Sequence, residues 1–252
     1  MPVEVLAFVH DTTFGDLPPD VVSFAHRCLL DLLGVAAAGR TTELSSMIHT
    51  HALQHFGAGA KSSPMLFDGR AASPAGAALA GGMTIDSIDA HDGNKITKGH
   101  SGCHQLPALL ALSTAEARTD PHEFLTSLVV GYEIATRAGI SLHQTVSDYH
   151  TSGAWGAVGC AALGARVLGL DHRSTFEAMG IAEYHGPRSQ MMRVIDHPTM
   201  LKDGSGWGAM AGVSAAYLAA DGFTGAPAVT VNDPGVAHVW ADLGRRWLIE
   251  EQ

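Results

Sequence analysis

Apolar residues return every three or four positions through most of this chain, and strict alternation is rare. Val22, Ala25, Leu29, Leu32 and Leu33 share one helical stripe. They predict a helix from Val21 to Ala38 that opens behind Pro18-Pro19-Asp20 and stops at Gly39. A second helix is expected over Thr42 to Phe56, ended by Gly57-Ala58-Gly59. Ser73-Pro74 opens a small-residue helix, Ala75 to Asp86, with proline in the first turn where it is tolerated. Leu106 to Arg118 follows, and Asp120-Pro121-His122-Glu123 caps an apolar helix at Phe124 to Leu142. Gly153 to Leu168, Asp171 to Glu183 and Trp207 to Ala220 continue the pattern. Ser63 to Asp68 reads as a strand fragment or an extended loop, and Arg246 to Ile249 as one strand. About nine helices with almost no strand pattern predict an all-α chain.

Composition sharpens this picture. At 252 residues the chain is long enough to bury a real core, as one large domain or two small ones. It holds 29 glycines and only 6% aromatic residues, which suits closely packed helices with small contact residues. A formal charge of −10 argues against nucleic acid or an anionic membrane as the main partner. Cys28, Cys103 and Cys160 are odd in number and far apart, matching neither a disulfide framework nor a zinc pattern. No basic segment precedes the first apolar run, and no such run reaches the roughly 18 residues that span a bilayer. The expectation is a cytoplasmic protein.

The charged residues are few, 16% of the chain, and unevenly placed. Asp86 to Pro107 gathers Asp86, Asp89, His91, Asp92, Lys95, Lys98, His100 and His104 in one glycine-broken stretch between apolar runs. Loops fixed on a rigid scaffold are where catalytic groups concentrate. Two further polar islands lie at Asp148 to His150 and His197 to Lys202. Histidine carries protons near neutrality, and carboxylates orient it. Lys95, Thr97, Lys98 and Arg188 are candidate substrate contacts, with lysines as point charges for a carboxylate or phosphorylated ligand. Arg193, beside Arg188, is a weaker candidate. His51 and His55 are neighbours on one helix face but lack a third ligand, so they read as a polar surface. Asp89-Ala90-His91-Asp92 offers carboxylate and imidazole, yet no second cluster of metal spacing supports a metal site, and none is expected. Cys103 and Cys160 read as packed thiols, and Trp155 and Trp207 as helix contacts. No dinucleotide, P-loop, zinc-protease or serine-hydrolase signature occurs.

The segment IDAHDGNKITKGHSGCHQLPALLALSTAE resembles the signature of the MmgE/PrpD family, whose members include 2-methylcitrate dehydratase, cis-aconitate decarboxylase and iminodisuccinate epimerase. FAHRCLLDLLGVAAAG, YHTSGAWGAVGCAALGARVLGL and MLKDGSGWGAMAGVSAAYLAADGFTG agree in order and spacing. The resemblance implies a large all-α domain, an α+β lid closing over the site, no metal or organic cofactor, and a homodimer. It places the family's acidic DxDD motif on Asp89, His91 and Asp92, with His91 in place of the middle acid. The family's next histidine falls on His100, that of its YH motif on His150, and its lysine on Lys202 with a one-residue gap. Residues 1–242 are then expected as the helical domain and 243–252 as a remnant or start of the lid strand. The lid motif K-x-Y-P-x-x-x-x-x-H is absent from the sequence, so the expectation is a separate lid polypeptide, with a truncated gene or another use of the helical domain as alternatives.

The shared chemistry of such enzymes is removal of a proton or carboxylate alpha to a carboxylate group. The resemblance therefore implies a lyase or isomerase acting on a small di- or tricarboxylate or related acid. Its alternative is an inactive helical module that binds a carboxylate ligand or a protein partner.

Overall fold

A computed structural model describes residues 3–252. Twelve α-helices run through the described residues. They are α1 (Val3–Asp11), α2 (Pro19–Gly39), α3 (Glu43–His55), α4 (Pro74–Asp86), α5 (Gly102–Ala115) and α6 (Pro121–Thr145), then α7 (Gly153–Leu168), α8 (His172–His185), α9 (Met192–Asp196), α10 (Ser205–Ala220), α11 (Val229–Asn232) and α12 (Ala237–Trp240). The all-α reading holds. The additional helices are α1 and the short α9, α11 and α12, each too brief or too close to the start to show a full apolar stripe.

Four of the long helices, α3, α4, α6 and α8, start where a short polar side chain takes up an unpaired N–H. Thr42, Ser73, Asp120 and Asp171 accept from the backbone of Ser45, Gly76, His122 and Ser174 respectively. The core is dominated by α4, α5, α6, α7 and α10, with α7 and α10 in the longest contact. Their small residues allow it. A Cβ on Gly82 of α4 would lie 2.6 Å from the Gly206 Cα of α10. Backbone meets backbone there, so Gly82→Ala is expected to force the two helices apart. A loss of about 1–3 kcal/mol, the usual range for overpacking, should appear as a lower Tm in thermal unfolding.

Two expectations are corrected and a third, the strand fragment at Ser63 to Asp68, is made definite. Arg246 to Ile249 is not a strand; Leu248–Glu251 is a 3-10 helix lying on α6 and α2. Its apolar residues Leu248 and Ile249 are buried, and Ile249 N–H donates to Glu133 at 2.9 Å, so no neighbouring strand is needed. Ser63 to Asp68 divides into Ser63–Pro64, paired antiparallel with Ala71–Ala72, and a turn. Finally, α2 is long and apolar enough to cross a membrane. Asp20, His26, Arg27 and Asp31 interrupt its apolar run. One stripe, Val21, Ala25, Cys28, Leu32, Val35 and Ala36, is buried against the other helices.

The C-terminal turn is tied down by charge. Arg137 and Glu133, both without exposed side-chain surface, form an ion pair one turn apart on α6. Arg137 Nη2 also donates to Asp242 at 3.0 Å and to the Arg246 carbonyl at 2.9 Å.

Candidate active site

The stretch between α4 and α5 folds as a series of tight turns, with Asp89 and Lys98 in the left-handed region (φ 53° and 51°). Asn94 organises its middle. Its side-chain oxygen accepts the N–H groups of Ile96 and Thr97 at 3.0 and 3.1 Å. The start of α5 then moves four residues earlier than periodicity predicts. Asp92 Oδ2 accepts the Gly102 N–H at 3.1 Å and so supplies the start, while Pro107 sits inside the helix. Gly102 is required by contact, since a Cβ there would meet the Tyr132 hydroxyl at 2.0 Å.

These turns bring three of the expected residues together. The rings of His91 and His100 stack at 4.0 Å between centroids. His100 Nδ1 donates to the Asp92 carbonyl at 2.5 Å, and its Nε2 lies 3.7 Å from Asp89 Oδ1. An imidazole that gives its Nδ1 proton to a carbonyl keeps Nε2 as the basic nitrogen. Behind them His91 Nε2 is 3.4 Å from Asp86 Oδ1, both side chains out of water. Burial opposes charge on both, but each is the other's partner. The His91 imidazole is raised from its usual value and the Asp86 carboxyl lowered.

A second set of groups closes the arrangement. Asp86 Oδ2 accepts the Asp203 N–H at 3.0 Å and the Ser205 hydroxyl at 2.7 Å. Asp203 in turn accepts the Ser152 N–H at 3.1 Å and the Ser152 hydroxyl, and Ser152 Oγ accepts the His100 N–H at 3.0 Å. His100, Ser152, Asp203, Asp86 and His91 therefore form a closed ring of contacts that fixes the imidazole from both sides. Burial, then repulsion by Asp86, pushes the Asp203 carboxyl up to about 6, against the opposing Ser152 bonds.

A buried acid with a raised value stabilises the fold in its protonated form. That contribution is complete below the ordinary carboxylate range near 4 and is lost as pH rises through about 6. Asp203→Asn removes the titration. The Tm difference between variant and parent is expected to move in the variant's favour between pH 4 and pH 7. Two pKa units correspond to about 3 kcal/mol at most. Parallel melting curves across that range check it.

The remaining candidates are distributed around this ring. Asp92 Oδ1 is buried without a partner. Lys95 and Lys98 are exposed on the loop, and Lys202 is half-buried, in the left-handed region (φ 54°), next to Asp203. None of the three joins an ion pair among the described residues. Tyr149, adjacent to His150, donates its hydroxyl to the Lys98 carbonyl. His150 is buried two residues before Ser152, its Nδ1 donating to the Asp148 carbonyl at 2.8 Å. Arg188 is exposed beside Ser189, whose carbonyl accepts the Thr151 N–H. Arg193 is exposed on α9.

Thr97 does not fit its expected role as a substrate contact. It is fully buried, its hydroxyl directed to Asn94 and its methyl group near Gly139 of α6. It holds the loop instead. Trp207 is 42% exposed and only partly a helix contact, whereas Trp155 is buried. All three cysteines are buried free thiols, and burial pushes Cys28 up to about 12.

Sequence reasoning placed Asp86 in the polar stretch without giving it a role, and missed Ser152, Asp203 and Ser205 as site residues. Asp203 and Ser205 had one available signal: they flank the glycine at the start of a helix otherwise made of small apolar residues. Ser152 had none, because its role depends on two segments about fifty residues away on either side.

Fold and site together define a small-residue helical domain that carries an imidazole–carboxylate cluster at the ends of its central helices, with lysines around it. The family model of the MmgE/PrpD N-terminal domain matches residues 4–244. The chain belongs to the MmgE/PrpD family, through that domain. It is 26% identical over 243 residues to the cis-aconitate decarboxylase-like protein oryM of Aspergillus oryzae, covering 88% of this chain and 47% of that protein. It is also 26% identical over 264 positions to cis-aconitate decarboxylase of Homo sapiens, covering 97% of this chain and 53% of the human protein. The chain thus spans about half the length of the curated relatives it matches.

Proposed function

We propose that this domain carries the proton-transfer half of a lyase or isomerase acting on a small di- or tricarboxylate. The carrying observation is His100, whose Nδ1 is held by the Asp92 carbonyl while Nε2 faces Asp89. In this reading His100 Nε2 takes a proton from the carbon alpha to a carboxylate. The electron pair passes into that carboxylate to give an enolate, and Lys98 and Lys202 balance its charge. Asp89 and Asp92 orient the imidazole, and His150 returns a proton or delivers one to a leaving hydroxyl. Dehydration and epimerisation begin with this proton removal. In decarboxylation the C–C bond to a carboxylate breaks instead, CO2 leaves, and the carbanion takes its proton from a protonated imidazole at the same site. The relatives named as cis-aconitate decarboxylases support the lyase class.

Lys95, Lys98 and Asp89 stand open to water, so a covering element is part of the proposal. We take it to be an α+β lid, and the assembly to be a cytoplasmic homodimer without cofactor. A second reading, an inactive module that binds a carboxylate or a protein partner, rests on one observation. Met47, Met200, Leu201 and Trp207 are each 42–65% exposed, and three of them line one apolar hollow with Leu44 and Met83.

The test is deuterium incorporation followed by NMR in D2O, with small tricarboxylates and hydroxy-dicarboxylates. It is run on residues 1–252 alone and then with an α+β lid domain supplied. Wash-in at the alpha carbon supports the enzyme. No wash-in under either condition, with the domain folded, moves the assignment to the binding module.

A further inference from the structure

Beyond proton chemistry, the geometry points to a divalent-cation site at Asp89, His91 and His100, for a transition metal of zinc-like character. One ligand atom from each of the three lies within 4.8 Å of the other two. They lie within one short loop, whose turns bring them together. The arrangement around the imidazoles supplies the second argument. A metal-binding histidine typically presents its other ring nitrogen to a carboxylate or a backbone carbonyl, which fixes both tautomer and orientation. The His100 ring has such an acceptor in place, its Nδ1 donating to the Asp92 carbonyl. His91 Nε2 lies 3.4 Å from Asp86 Oδ1, within ion-pair reach but without hydrogen-bond geometry.

That leaves Nδ1 of His91 and Nε2 of His100 for a ligand. Both ring nitrogens of His91 are buried and have no hydrogen-bond partner among the described residues, and Nδ1 has no ion-pair partner either, an arrangement that costs free energy unless something occupies it. His100 Nε2 is the atom beside Asp89. Two imidazoles and a carboxylate suit zinc and its neighbours rather than magnesium or calcium. Zinc bonds near 2.0–2.2 Å place tetrahedral ligand atoms about 3.3 Å apart, so the cluster must contract by roughly 1.5 Å. Asp89, 65% exposed at its side chain, has the freedom to supply much of this, with the stacked rings opening slightly.

A cation here shares His100 Nε2 with the proton proposed above. If that reading holds, zinc inhibits the reaction by occupying the base. The binding itself does not depend on it.

The test uses the purified chain with Co2+ and Zn2+ as probes. Co2+ uptake is read from its visible absorption and Zn2+ from displacement off a chromophoric chelator. One equivalent is expected to bind. His91→Gln, His100→Gln and Asp89→Asn should each weaken binding at least tenfold, and Asp86→Asn by about 10–100-fold through the His91 orientation. His51→Gln, which alters the stacked His51–His55 pair on α3, should leave binding unchanged. Circular dichroism confirms that each variant is folded. A folded parent chain that binds no cation overturns the site, as does binding that survives His91→Gln and His100→Gln or is lost in His51→Gln. Neither result bears on deuterium wash-in, which is measured without metal.

Discussion

His100→Ala is expected to reduce deuterium wash-in at the alpha carbon by about 10²–10⁴, the range that a positioned general base contributes. The effect should fall on turnover and leave the fold intact. The His100 side chain is 22% exposed, and its only side-chain hydrogen bond is to the Asp92 carbonyl of the same loop. Its backbone N–H, which holds Ser152, survives the substitution. The far-UV spectrum should therefore be unchanged and the Tm shift small. His150→Ala gives the comparison that separates roles. If His150 supplies the returning proton, its loss should suppress complete turnover more than wash-in. Wild-type wash-in in His100→Ala together with its loss in His150→Ala would transfer the base to His150.

Arg137→Met is expected to cost about 3–5 kcal/mol of stability, because it strands a buried charge rather than removing an exposed pair. Glu133 is fully buried, and burial already pushes its carboxyl above the usual range, with Arg137 as the first opposing influence. Arg137 also holds the Asp242 carboxylate and the Arg246 carbonyl. For a domain of this size the loss corresponds to about 6–20 °C in Tm. Adding Glu133→Gln should restore part of it, since a neutral amide still accepts from Ile249 N–H and leaves no charge behind. A double variant no more stable than Arg137→Met alone would contradict this account. Amide exchange should show residues 242–251 protected in the parent and opened in Arg137→Met.

Much of the fold could be read from the sequence because helical periodicity and caps act locally. The stripe on α2, the Ser73-Pro74 start of α4 and the Asp120 cap of α6 depend on residues within a few positions of one another. The one expected strand failed for a reason outside its own residues. Leu248 and Ile249 are apolar in either conformation, and only the Glu133 carboxylate and the face of α6 select a 3-10 turn. The start of α5 was misplaced for a similar reason, its first N–H being taken up by Asp92, ten residues earlier.

The sequence by itself determined the all-α class, the small-residue packing and the loop that carries Asp89, His91, Asp92 and His100, because each is written in a contiguous stretch. Only the tertiary structure decided what those side chains face. Asp86, Ser152, Asp203 and Ser205 come from three segments more than fifty residues apart and surround two imidazoles through bonds of 2.7–3.1 Å. Thr97 shows the converse, a hydroxyl in the chemically busiest stretch that folding turns inward to hold its own loop. Spacing along a chain fixes which residues share a helix face. Which carboxylate meets which imidazole is settled when helices 4, 7 and 10 pack at the close distances that their glycines allow.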